Sequence, residues 1–140
     1  MKFTNYVKKL IILLSIKNIF EAITPLQILN YCFLAKEFDD EYIIVIYLCN
    51  NDKIIKHKTL YRKILLESDA EDIFKQAARL NASRLVVIHN QKSNEPNPTQ
   101  SDRKNTLLLL SMGENIGIPM EDYIVNSPNG FSSYRQHRFL

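Results

Sequence analysis

LVVIHNQKSNEPNPTQSD, running from Leu85 to Asp102, decides how the chain is built. Leu85 to Ile88 is a short apolar run with the length of a buried strand. His89 stands at its end, and the Asn-, Pro- and Ser-rich segment through Pro98 carries turn residues without an apolar period, so it reads as loop. Thr99-x-x-Asp102 has the form of a capping box and opens a helix expected from about Thr99 to Asn115, with Gly117 suited to its C-terminal end. Open α/β sheets place their sites where a strand's C-terminal end faces the start of a helix. His89 to Asp102 is in that position.

Working outward toward the N-terminus, Ser68 to Glu71 forms another capping box, and Ile73, Phe74, Ala77 and Ala78 fall on one side of a helix ending near Asn81. Asn81 is expected to cap that end, since asparagine tolerates the left-handed conformation. Tyr42 to Cys49 is dominated by Ile, Val and Tyr; the turn residues Asn50, Asn51 and Asp52 follow, then a second run from Ile54 to Tyr61. The pair predicts a hairpin. Because the first run is almost continuously apolar, both its faces must be covered, as in an interior strand with helices on the sheet. Thr24-Pro25-Leu26-Gln27 predicts a helix start, running toward Phe38. Beyond the central stretch, Tyr123 to Val125 and Phe131 to Tyr134, joined by NSPNG, predict a last pair of strands. The expectation is one α/β domain, a single mixed sheet flanked by helices.

Composition agrees with one core. At 140 residues, 46% hydrophobic and 24% charged, the chain suits a single domain and is too short for two. Eighteen basic against 15 acidic residues give a net charge of +3, which permits weak attraction to nucleic acid without supplying a strongly basic patch. Arg103, Lys104, Arg135 and Arg138 are expected to form a solvated basic face rather than a phosphate site. Cys32 and Cys49 lie in apolar runs and are expected to be buried reduced thiols. Lys2, Lys8 and Lys9 before LIILLSI imitate a secretory signal, which is the alternative reading of this end. The run lacks a small-residue cleavage site and stops at Lys17 and Asn18, well short of the roughly 20 apolar residues that span a bilayer. It is read as an amphipathic or core-packing leader helix over residues 1–23, preceding a domain over 24–140, in a cytoplasmic protein with no membrane association.

The chain resembles the RadC branch of the JAB/MPN (JAMM) metallopeptidase-like family. EYIIVIYLCNNDKIIKHKTLYR from Glu41 is similar to that family's glutamate, strand, turn and second strand ending in H-x-T-L-aromatic. AARLNASRLVVIHN from Ala77 resembles its helix end and the strand leading to a metal histidine, and IGIPMEDYIVNSPNGFSSYR from Ile116 its closing segment, with Tyr123 where the family has a histidine. HNQKSN from His89 stands where the family reads HNHPSG, so Gln91 replaces the second histidine, and Lys92 and Asn94 replace the Pro and Gly. The resemblance covers about the last 115 residues; the helix-hairpin-helix-like region of full-length RadC proteins has no counterpart in it.

The resemblance implies a zinc site with His89 and Asp102 as remaining ligands, Gln91 at the lost ligand position, Glu41 as general acid/base and Thr99 in place of a serine that holds the water or oxyanion. Catalytic zinc takes three protein ligands and a water whose pKa falls to about 7. Gln91 is the weak point, because a neutral amide is a poorer zinc donor than imidazole. Lys92 adds positive charge beside the vacancy. Each residue also has an ordinary reading: Thr99 and Asp102 as a capping box, His89 as a hydrogen-bonded edge histidine, Glu41 as one of several solvated acids after Asp39 and Asp40. His57 and His137 are not expected to substitute as ligands.

Two functions are carried forward. One is a RadC-like domain with an impaired zinc site, a catalytically weak or inactive accessory protein with a protein or peptide partner and a DNA-repair association. The other is an active zinc-dependent metallopeptidase or isopeptidase that uses His89, Asp102 and a substitute ligand, with Glu41 as base. A zinc deaminase is disfavoured, as H-x-E and P-C-x-x-C are both missing. Substrate and oligomeric state are not encoded in any motif.

Overall fold

The computed structural model describes residues 24–26, 28–29, 41–93 and 95–137. The expected leader helix over 1–23 and the run from residue 30 toward Phe38, with Cys32, lie outside the described residues. Pro25, Leu26, Ile28 and Leu29 have helical backbone, and the Ile28 N–H donates to the Thr24 carbonyl at 3.2 Å, in line with a helix opening at Thr24.

Among the described residues, five strands and two long helices follow in the order β1 (Tyr42–Leu48), β2 (Ile54–Leu60), α1 (Glu67–Arg79), β3 (Arg84–Asn90), α2 (Gln100–Ile116), β4 (Met120–Ser127) and β5 (Gly130–Ser133). The sheet order is β2-β1-β3-β4-β5. Of the neighbouring pairs described, β3–β4 alone is parallel; β1 pairs antiparallel with both β2 and β3, and β5 with β4. The parallel pair needs a crossover, which α2 supplies, while the hairpin and the β4–β5 turn need only a few residues. This is the mixed-sheet α/β domain that the hydrophobic pattern predicts.

Alternation sorts the sheet residues onto two faces. Ile43, Val45, Tyr47, Leu85, Val87, Tyr123 and Val125 pack with Ala70, Ile73, Phe74 and Ala77 of α1 and Leu109 of α2. Ile44, Ile46, Leu48, Val86, Ile88 and Ile124 form the second cluster, with Ile28 and Leu29. Every residue of β1 is buried, which is why its run shows no polar alternation. Tyr47 sends its hydroxyl to the Ile73 carbonyl at 3.1 Å, tying β1 to α1, and burial pushes its pKa up to about 12.

Three local expectations are corrected. The start of α1 is at Leu66, not at a Ser68–Glu71 box: Asp69 reaches back to accept the Leu66 N–H at 2.8 Å. The neighbouring Leu65 N–H is held by Asn105 of α2 at 2.9 Å, which fixes the chain just ahead of the helix. The inward stripe of α1 is Ala70, Ile73, Phe74 and Ala77, with the i, i+3, i+4, i+7 spacing of one helix face; Ala78 points to solvent. Cys49 is a free thiol but only half-buried, because it sits in the hairpin turn after the last paired residue of β1.

Candidate functional site

The β3 strand ends by placing His89 under the first turn of α2. Leu85 and Val87 point at the helices, so the strand alternation sends His89 the same way. Thr99 caps α2 as expected: its hydroxyl accepts the Asp102 N–H at 3.2 Å, and Asp102 in return accepts the Thr99 N–H at 2.7 Å. That reciprocal cap aims the Asp102 carboxylate inward, where it is fully buried.

Glu41, His89, Thr99 and Asp102 are brought together. His89 Nδ1 lies 2.6 Å from Asp102 Oδ1, and His89 Nε2 lies 2.9 Å from Glu41 Oε1. The imidazole is buried, whereas the Glu41 side chain is 18% exposed and its other oxygen pairs with the exposed Lys63 at 3.2 Å. Asp102 receives three further bonds besides the imidazole: Thr99 N–H and Thr99 Oγ1 at Oδ2, and the Tyr123 hydroxyl at Oδ1, 2.7 Å away. Burial alone would favour neutral His89, but the hydrogen bonds and charges of Asp102 and Glu41 outweigh it and raise its pKa above the usual imidazole range. Burial likewise opposes charge on Asp102, and the bonds from His89, Thr99 and Tyr123 prevail, holding it below the usual carboxylate range.

Gln91 does not join the cluster. Its side-chain amide donates to the carbonyls of Glu95 at 2.6 Å and Asn97 at 3.4 Å, so it braces the loop between β3 and α2. Two donors sharing a tetrahedral zinc at about 2.1 Å stand roughly 3.4 Å apart. Separations of 2.6 and 2.9 Å about the His89 ring are therefore direct hydrogen bonds, and both ring nitrogens and the Asp102 oxygens are already engaged. Among the described residues no set of three or more His, Cys, Asp or Glu side chains is arranged to hold a metal ion. In this arrangement the side chains present do not fit a catalytic zinc.

Sequence reasoning missed two buried polar residues, of which only the first belongs to this network. Asn105 donates to the Lys63 carbonyl at 2.8 Å and to the Tyr123 hydroxyl at 3.2 Å while accepting from Leu65 N–H. Its signal was available, since it stands three residues after Asp102 on the same helix face. Asp122 is the second: buried, it takes Ser133 Oγ at 2.5 Å, Tyr123 N–H at 2.8 Å and Arg135 N–H at 3.0 Å, fastening β5 to β4. Burial raises its pKa.

A cleft of about 540 Å³ lies beyond the C-terminal ends of β3 and β4, lined by Asn90, Gln91, Asn126, Phe131, Leu26 and Leu29 among others. Asn90 and Asn126 alternate with His89 and Val125, so the cleft is on the sheet face opposite the imidazole.

A five-stranded mixed sheet with a carboxylate–imidazole cluster gathered where one strand ends and a helix begins defines an α/β domain of JAB type. The profile of the RadC-like JAB domain matches residues 23–139, and the chain belongs to that family. A UPF0758 protein of Enterococcus faecalis is 32% identical over 107 residues, covering 75% of this chain and 46% of the relative. One from Thermotoga maritima is 30% identical over 118 residues, covering 81% of this chain and 52% of the relative. The chain thus spans about half the length of these relatives. No helix among the described residues is long and apolar enough to cross a membrane.

Proposed function

We propose that this RadC-like JAB domain carries an impaired zinc site and acts in the cytoplasm as a catalytically weak or inactive accessory protein, engaging a protein or peptide partner in a DNA-repair setting. The supporting observation is the saturation of Asp102, whose two oxygens accept four hydrogen bonds from protein groups while Gln91 is spent on its own loop. A carboxylate offers about four lone-pair sites, so none is left for a cation. Exposure is in keeping with the accessory reading: the His89 imidazole is 1% exposed and Asp102 is fully buried, so only Glu41, at 18%, and Thr99 bring the cluster to the surface.

Elemental analysis of protein purified without added metal tests this reading. The expected result is well under one zinc per chain and no gain of peptidase activity on zinc addition. One tightly held zinc per chain would overturn it in favour of an active hydrolase using His89 and Asp102 as ligands and Glu41 as base.

A further inference from the structure

We propose that Tyr123 is a second block on the metal position, independent of Gln91: its hydroxyl takes on Asp102 the place a cation would occupy. This rests on the reading of an impaired zinc site and adds a residue to it. Tyr123 comes from β4, at the position where the family resemblance expects a histidine, and its side chain is fully buried. The phenol has one proton to give, and its neighbours decide where it goes. Asn105 Nδ2 is a pure donor at 3.2 Å, so the phenol oxygen accepts there and must donate to Asp102 Oδ1 at 2.7 Å. Asn105 is in turn oriented by the Leu65 N–H and the Lys63 carbonyl, which settle which end of its amide is nitrogen. Tyr134 packs edge-on against the Tyr123 ring, with centroids 5.3 Å apart, and holds it in place.

The result is one connected set of polar groups, Glu41–His89–Asp102–Tyr123–Asn105, that spans the start of β1, the end of β3, the first turns of α2, β4 and the segment after β2. Buried polar networks of this kind hold elements in a unique arrangement when every member is satisfied. The cluster serves here as an internal strut, with the phenol supplying the partial positive charge that a metal would otherwise bring to Asp102. Restoring an imidazole at position 91 leaves Asp102 saturated, and Gln91→His alone is insufficient to recover zinc.

The test is zinc affinity, read by competition with a chromophoric chelator, for the wild type, Gln91→His, Tyr123→Phe and the double variant, with thermal melting to establish that each is folded. The double variant is expected to bind zinc tighter than Gln91→His by about tenfold to a hundredfold, the range set by removing one competing hydrogen bond to a charged acceptor. Equal affinity of Gln91→His and the double variant, or no zinc binding by either, overturns the role of Tyr123. Tight zinc in the wild type instead overturns the impaired-site reading itself, so the two failures are distinguishable. Should the double variant melt below the working temperature, the competition for Gln91→His and the double variant is repeated at a temperature below that melt, where tighter zinc in the double variant is expected and equal affinity overturns the proposal.

Discussion

Asp102 concentrates the consequences of this arrangement. Removing one member of a buried charged pair strands the other, at a cost of about 3–5 kcal/mol. Asp102→Ala should therefore lose about that much in urea unfolding, since it leaves His89, Tyr123 and the Thr99 amide without their acceptor. A loss under about 1 kcal/mol would mean water replaces the carboxylate easily. The pH dependence has a definite sign. His89 is raised in the folded state, so its contribution is complete below the ordinary imidazole range and disappears as pH climbs through the folded value. Asp102 is lowered, so its contribution is present above the ordinary carboxylate range and disappears as pH drops through the folded value. The stability difference between wild type and Asp102→Asn should accordingly be widest between those two ranges and narrow on both sides; a difference that does not vary with pH would show that the pair is not ionised. At this scale the sequence was informative for Glu41, His89, Thr99 and Asp102, which stand at element boundaries. The replacement of a family histidine by Tyr123 was readable too, but where its proton goes depends on Asn105, a contact between β4 and α2 that no local pattern encodes.

Among the elements, α2 carries the most constraint. It crosses near α1 at Gly113, where an added Cβ would come within 2.7 Å of the Ile118 carbonyl and 3.4 Å of Phe74. Backbone cannot step aside as a flexible side chain can, so Gly113→Ala should destabilise by about 1–3 kcal/mol. The helix ends on Gly117 with φ +80°, its N–H bonded to the Gly113 carbonyl at 2.9 Å, and nothing lies near its missing Cβ. Gly117→Ala should cost about 1–2 kcal/mol from the left-handed backbone alone, and Gly117→Asn less; thermal melts of the three variants check the order. Both ends of α2 were legible, Thr99 and Asp102 from the capping pattern and Gly117 from its place after the last apolar turn. The start of α1 was not, because Asp69 caps through a single side chain reaching the Leu66 amide and the Ser68–Glu71 spacing mimics a box two residues past the true cap. Gly113 gave no signal in advance, as its need arises only from the returning chain at Ile118.

For the molecule as a whole, the apolar runs fixed which strands are interior, and the mixed topology followed from the alternation of hairpin and crossover. Strand order was beyond reach of pattern alone: β1 lies between β2 and β3, so α1 carries the chain across it. The polar network then joins the ends of these elements on one face of the sheet, with the cleft at Asn90 and Asn126 on the other. A closed network makes the site part of the fold's stability, so metal and chelator should leave the unfolding midpoint where it is. A rise in melting temperature with added zinc, reversed by chelator, would point to a site that opens to accept the ion.

The most direct test observes His89 itself, by nitrogen-15 and proton nuclear magnetic resonance of its imidazole in the wild type before and after a stoichiometric addition of zinc. A strongly deshielded Nδ1 proton shared with Asp102, with ring resonances unmoved by zinc, is the expected result. Loss of that proton signal together with a shift of a ring nitrogen to the position of a metal-bound imidazole would contradict the proposal of a closed, metal-independent site.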